Sequence, residues 1–128
     1  MFSFLDKFKA YQGELLGVLR IITGVLFMAH GIQKFFAFPV AFPFPLNTML
    51  NIAGGLEIVG GILFIIGFCT RPVAFVLSGM MAVAYFMAHA TRGMYPLTNG
   101  GELAVLYCFI FLYFVASGSG KYSVDGGK

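Results

Sequence analysis

The sequence predicts an all-α integral membrane protein, a four-helix bundle. Three observations lead there. Hydrophobic residues make up 59% of the 128 and charged residues only 10%, where soluble domains carry about 25% charged residues. The mean hydropathy is +0.91, so the chain cannot cover its own surface with polar groups in water. The apolar residues also gather into four runs, each near the length that crosses about 30 Å of hydrocarbon at about 1.5 Å per residue. In lipid every backbone N–H and C=O must be paired inside its own segment, which makes such runs helices. A single transmembrane domain, 1–128, uses the whole length.

The first span is expected over about 15–36. It is too long for the apolar core of a signal peptide and reads as a permanent span. Pro39, Pro43 and Pro45 follow, interleaved with Phe38, Phe42 and Phe44. Proline stops the helix while the phenylalanines stay compatible with lipid, so this segment should lie at or dip into the interface. The second span is expected over about 49–68. A tight turn, CTRP, follows, and its Pro72 suits the first turn of a helix. The third span runs over about 72–90. TRGMYPLTNGG is a polar turn, and the fourth span, about 101–117, is barely long enough. The tail GSGKYSVDGGK is polar and is expected to be exposed.

Charge placement orients the chain. With a cytoplasmic N-terminus, Lys7, Lys9, Arg20, Arg71, Lys121 and Lys128 fall on one side and Lys34 and Arg92 on the other, a bias of six to two that puts both termini in the cytoplasm. The basic residues are single and scattered, so no nucleic-acid surface is predicted. Cys69 and Cys108 fall at different depths and are expected to stay unpaired as small apolar residues. Glycines recur on the first helix as Gly17, Gly24 and Gly31, and on the second as Gly54 and Gly61 with Gly60 and Gly67. Small residues let helix backbones approach closely in lipid. These stripes mark packed faces, within one chain or between copies, and leave a homo-oligomer open.

Ionisable residues inside spans are expensive and face the bundle interior. Arg20, His30 and Lys34 lie on the first helix, Glu57 on the second, His89 on the third and Glu102 at the start of the fourth. Glu57 stands within about 60° of its neighbouring glycines on the helical wheel, so it points where its helix packs. Arg20 is the leading candidate for its partner, about 8 Å away in depth, which a long side chain can bridge, and His30, at similar depth from the outer side, is the other. Ser78, Ala82, Tyr85 and His89 share one stripe of the third helix. His30, Lys34, Tyr85, His89, Asn99 and Glu102 are therefore expected to line one polar pocket at the outer face. No HxxxH or CxxC spacing supports a metal site, and no catalytic residue is assigned.

The stretches LRIITGVLFMAHGIQKFF, GGLEIVGGILFIIGFCTRP, NGGELA and GSGKYSVD together resemble the DoxX family of four-helix bacterial membrane proteins, from Leu16 to Asp125. The resemblance implies a compact bundle in the bacterial inner membrane. It carries family positions onto Arg20, Gln33, Lys34, Glu57, Asn99, Gly100, Gly101 and Glu102, and so adds Gln33 to the residues expected to line the pocket. It also implies a membrane subunit of a quinone-linked oxidoreductase system, concerned with thiol or sulfur compounds or with oxidative stress. A quinone is then the expected ligand and an oxidoreductase subunit the expected partner. Two other readings of the buried charges are a small-solute or proton-coupled transporter and a non-catalytic scaffold for a partner enzyme. The chain lacks a paired, exposed cysteine motif for direct disulfide chemistry.

Overall fold

A computed structural model describes residues 2–128, and the described residues are helical with no strand. A short helix α1 (Ser3–Asp6) and a 3-10 turn (Lys7–Tyr11) lead into α2 (Gln12–Phe36). After the proline-rich connection come α3 (Thr48–Ile66) and α4 (Thr70–Ala84). The last runs on through a π-helical turn, Tyr85–His89, and a 3-10 turn, Ala90–Arg92. A one-turn helix α5 (Pro96–Asn99) precedes α6 (Glu102–Ser117). Three helical stretches, Ser3–Phe36, Thr48–Ile66 and Thr70–Arg92, are long and apolar enough to cross a membrane. With 16 residues, α6 reaches about 24 Å. The chain is a membrane helical bundle whose outer surface is apolar and lipid-facing.

The long helices alternate in direction, so both termini and the α3–α4 turn share one end. The α2–α3 and α4–α5 connections share the other. Helix ends follow local rules. The Asn47 side chain accepts from the Leu50 N–H at the start of α3, an N-cap. Gly67 ends the same helix in the left-handed region, φ 69°, where glycine meets no Cβ penalty.

Packing follows the glycines. A Cβ on Gly31 would lie 2.7 Å from the Gly54 carbonyl oxygen, and one on Gly24 would lie 2.6 Å from Ile65. The α2 and α3 backbones therefore touch, as small residues allow in lipid. Gly60 on α3 faces the other way, against Leu77 of α4. Helices α4 and α6 form the second close pair, joined by a hydrogen bond from the Ser78 hydroxyl to the Cys108 carbonyl, 2.8 Å. The two pairs meet through aromatic rings. Phe27 packs edge-on to Tyr107 and Phe111, and Phe64 packs edge-on to Phe111 and Phe114, with centroids 4.9 to 5.4 Å apart, the geometry such rings prefer. Across the α2–α6 seam, Phe27 and His30 of α2 meet the Tyr107 and Phe111 rings of α6.

Lys121, Tyr122, Val124 and residues 126–128 are exposed, as the sequence suggested for the tail, but residues 118–120 are buried. Ser119 is fully buried. The Lys121 N–H donates to the Gly13 carbonyl, and the N–H groups of Val124 and Asp125 donate to the carbonyls of Ile66 and Gly67. The tail thus folds back across the ends of α2 and α3.

Candidate functional site

Arg20 and Glu57 do not pair, which corrects the expected ion pair. In an α-helix each Cα–Cβ bond leans toward the helix N-terminus. Arg20 on α2 therefore leans toward the end bearing the termini, away from the bilayer centre. Glu57 lies on the antiparallel α3 and leans the opposite way. The residue leaning toward Glu57 is Lys34, near the far end of α2. Its ammonium donates to both carboxylate oxygens at 2.9 and 2.8 Å, with side chains only 8% and 7% exposed. A Cβ on Gly31 would come within 3.0 Å of the Glu57 Cβ, so the glycine stripe admits the two groups to one layer.

That layer has further members. His30, one turn below Lys34, is half-buried and meets the Tyr107 ring edge-on at 6.1 Å. Among the described residues, the side chains of His30, Gln33 and Tyr107 make no hydrogen bond within the chain. Phe42, from the proline-rich connection, lies over the Lys34 ammonium at 5.0 Å. Phe44 packs on Phe42 and lies 5.8 Å from the Arg92 guanidinium. Such contacts contribute about 0.5–2 kcal/mol each. The connection is thus an aromatic cover over the ion pair that reaches to the end of the α4 stretch.

Tyr85, His89 and Asn99 form a separate cluster at the same end of the bundle. The π turn sets Tyr85 and His89 together against Gly101, where a Cβ would lie 2.7 Å from the Tyr85 ring and 2.8 Å from the His89 Cβ. Asn99 is buried and satisfied. It donates to the Tyr85 hydroxyl and the Gly93 carbonyl, both 3.1 Å, and accepts from the Gly101 N–H at 2.8 Å. His89 Nδ1 lies 3.3 Å from the Asn99 carbonyl oxygen. These side chains shape the α4–α6 connection. Glu102 joins neither cluster. It is exposed and borders a shallow hollow with Pro96, Val105, Leu106 and Phe109. The single pocket expected for all seven residues is corrected to two clusters, of which the Lys34–Glu57 layer keeps polar groups without partners.

Arg20 is fully buried at the opposite end. Its Nε donates to the Phe64 carbonyl at 2.9 Å. Nη1 donates to the carbonyls of Ser119 and, at 3.0 Å, Lys121. Nη2 donates to those of Ile65 at 3.3 Å and Tyr122 at 2.6 Å. All five N–H donors of the guanidinium are thereby used on backbone carbonyls, some from the last turn of α3 and some from the tail. Beside it, the Asp125 carboxylate accepts from the N–H groups of Cys69 and Thr70 at 3.0 and 2.8 Å, and so caps α4. Burial pushes the Asp125 carboxyl up, but those N–H groups and the Arg20 charge outweigh it and hold it below its ordinary value.

Sequence reasoning did not find Tyr107, Phe42 or the tail. A hydroxyl inside the apolar run LYCFIFLYF is the signal that could have found Tyr107. Backbone carbonyls have no signature in sequence, which hid the partners of Arg20. Among the described residues no three His, Cys, Asp or Glu side chains gather as a metal site would need, and Cys69 and Cys108 are free thiols.

Fold and site together define a small helical membrane protein with a buried lysine–glutamate pair near one face. The model of the DoxX family matches residues 15–90, and the chain belongs to that family. It is similar to an uncharacterized protein of Haemophilus influenzae, 45% identical over 94% of this chain and 96% of the relative. A second uncharacterized protein of that organism is 31% identical over 89% of this chain and 83% of its own length. A Bacillus subtilis protein named "Putative oxidoreductase CatD" is 26% identical over 91% of this chain and 88% of its own. No solved structure matches.

Proposed function

We propose that the chain is a membrane subunit of a quinone-linked oxidoreductase system, acting on thiol or sulfur compounds or against oxidative stress, with its working end at the Lys34–Glu57 layer. One observation carries this reading. The buried pair shares its layer with His30 and Tyr107, whose side chains make no hydrogen bond among the described residues. A buried ion pair adds little net stability, and apolar side chains of similar volume often serve a fold as well. Ionisable groups kept inside a span mark function by default.

A quinone is a flat, amphipathic substrate that takes up protons together with electrons. Glu57 and Lys34 can hold or pass a proton between them, and His30 and Tyr107 offer hydrogen bonds to a carbonyl oxygen. In this reading a partner subunit supplies the electrons. The printed name of the Bacillus subtilis relative supports the oxidoreductase class. The charge bias puts this layer at the outer face of the bacterial inner membrane and both termini in the cytoplasm. Lys34 and Arg92 then favour an anionic sulfur substrate on that side.

The test is titration of the purified protein with a short-chain ubiquinone, together with quinone reduction in membranes supplied with thiosulfate or sulfide. Saturable binding is expected, at least tenfold weaker in a folded Glu57→Gln variant. Absence of both binding and turnover in the wild type overturns the reading.

A further inference from the structure

The first helix is longer than the membrane it crosses. The helical stretch Ser3–Phe36 has 34 residues, about 51 Å at about 1.5 Å each, against about 30 Å of hydrocarbon. The surplus lies at the end of the termini. There the folded-back tail closes the bundle at Gly13, whose carbonyl accepts the Lys121 N–H, and residues 2–12 beyond it are all exposed. This overhang is not polar: Phe2, Phe4, Leu5, Phe8 and Tyr11 stand uncovered in it. Most of them share a side. In the 3-10 turn Lys7–Tyr11 residues three apart eclipse, so Phe8 and Tyr11 fall together, their rings 6.4 Å apart and edge-on. Phe4 and Leu5, one turn earlier, fall near the same side. Beyond Tyr11, steps of four, three and four residues lead to Leu15, Val18 and Ile22 on the lipid-facing side of α2. Lys7 and Lys9, the sequence neighbours of Phe8, stand on the two flanks of this stripe.

Continuity with the lipid-facing surface says what covers the overhang. A second copy, or any other helix packed along the stripe, would have to follow it down α2. There the exposed positions from 15 to 26 are Leu15, Val18, Leu19, Ile22, Val25 and Leu26, without the small residues that helix interfaces in lipid favour. Lipid covers this side of α2, and the same side runs on into the overhang. A joint stands between them. Tyr11, at φ −102° and ψ 16°, departs from helical values where the 3-10 turn meets α2. A rod bent toward its own lipid-facing side lays that side flat on the membrane without rotating about its axis. We propose that residues 2–11 lie along the membrane surface on the side of the termini, as an interfacial anchor. Phe4, Leu5, Phe8 and Tyr11 sink below the headgroups, and Lys7 and Lys9 reach up to them. Tyrosine suits that boundary. Asp6 is paired with Lys9 at 2.9 Å, so the flank brings no bare carboxylate to the interface. The proposal is independent of the quinone reading, since it concerns the opposite end of the bundle.

Fluorescence of the full-length protein in phosphatidylcholine vesicles tests it, because the chain has no tryptophan of its own. Phe8→Trp puts an indole in the stripe, and Ala10→Trp puts one away from it. Both positions are exposed, outside the bundle, so neither change disturbs the packing. In vesicles of phosphatidylcholine brominated along its acyl chains, Phe8→Trp emission should fall at least twofold, while iodide in the water should quench it little. For Ala10→Trp the order should reverse. Equal quenching of the two variants by iodide overturns the proposal, because it leaves the segment in water. A Phe8→Trp indole shielded from both bromolipid and iodide overturns it too, because it sets the stripe against protein.

Discussion

Two buried basic side chains illustrate opposite solutions to charge in lipid. Lys34 meets a carboxylate, and Arg20 meets only carbonyls. For Lys34, removing one partner strands the other. Lys34→Ala should destabilise the protein by about 3–5 kcal/mol, read as a large fall in the thermal unfolding midpoint in detergent. The paired change Lys34→Met with Glu57→Leu removes both charges and should unfold within about 1 kcal/mol of wild type. If the double variant is as unstable as the single one, the pair is a structural element after all. For Arg20, lysine keeps the charge but supplies three donors where five carbonyls wait. Arg20→Lys should lower stability by about 2 kcal/mol or more, because buried acceptors lose their partners. An unchanged midpoint would show that the carbonyl cage is not what holds the tail.

The helices and their caps respond through packing and protonation. Gly31→Leu drives a side chain into the Gly54 carbonyl and Ile58 and should cost about 1–3 kcal/mol. Gly55→Ala and Gly79→Ala meet nothing within 4 Å and should gain up to about 1 kcal/mol, the ordinary helical advantage of alanine. Thermal unfolding of the three variants side by side checks the contrast. The α4 cap adds a pH dependence. Folding holds the Asp125 carboxyl below its unfolded value of 3.8. Its contribution is therefore complete above that value and is lost as pH falls through the lower folded value. Unfolding midpoints should drop below about pH 4, and Asp125→Asn should flatten that part of the curve. An identical acid limb in the variant would remove Asp125 as its source.

At the scale of the molecule, the four helical stretches were legible because hydropathy and proline placement are written directly in the chain. The packed faces were legible too, since Gly24, Gly31, Gly54 and Gly61 sit where α2 and α3 touch. The polar contacts were less so. Depth arithmetic put Arg20 within reach of Glu57, but it ignored the lean of side chains toward each helix N-terminus, which separates these two and brings Lys34 down to the carboxylate. The resemblance had already singled out Lys34 and Glu57 without saying that they touch. The tail is exposed over much of its length, as its composition suggested, but composition did not show that the backbone carbonyls of Ser119, Lys121 and Tyr122 turn inward to the buried guanidinium.

The cage around Arg20 also sets an order of events during synthesis. Three of its five carbonyls belong to residues made 99 to 102 positions after Arg20. When the first span enters the membrane, its arginine has none of those acceptors. It has to be served by water until residues 119–122 have been made. The first helix is therefore locked only by a segment made about a hundred residues later, and a ribosome stalled before Ser119 leaves a nascent chain whose first helix is still unlocked.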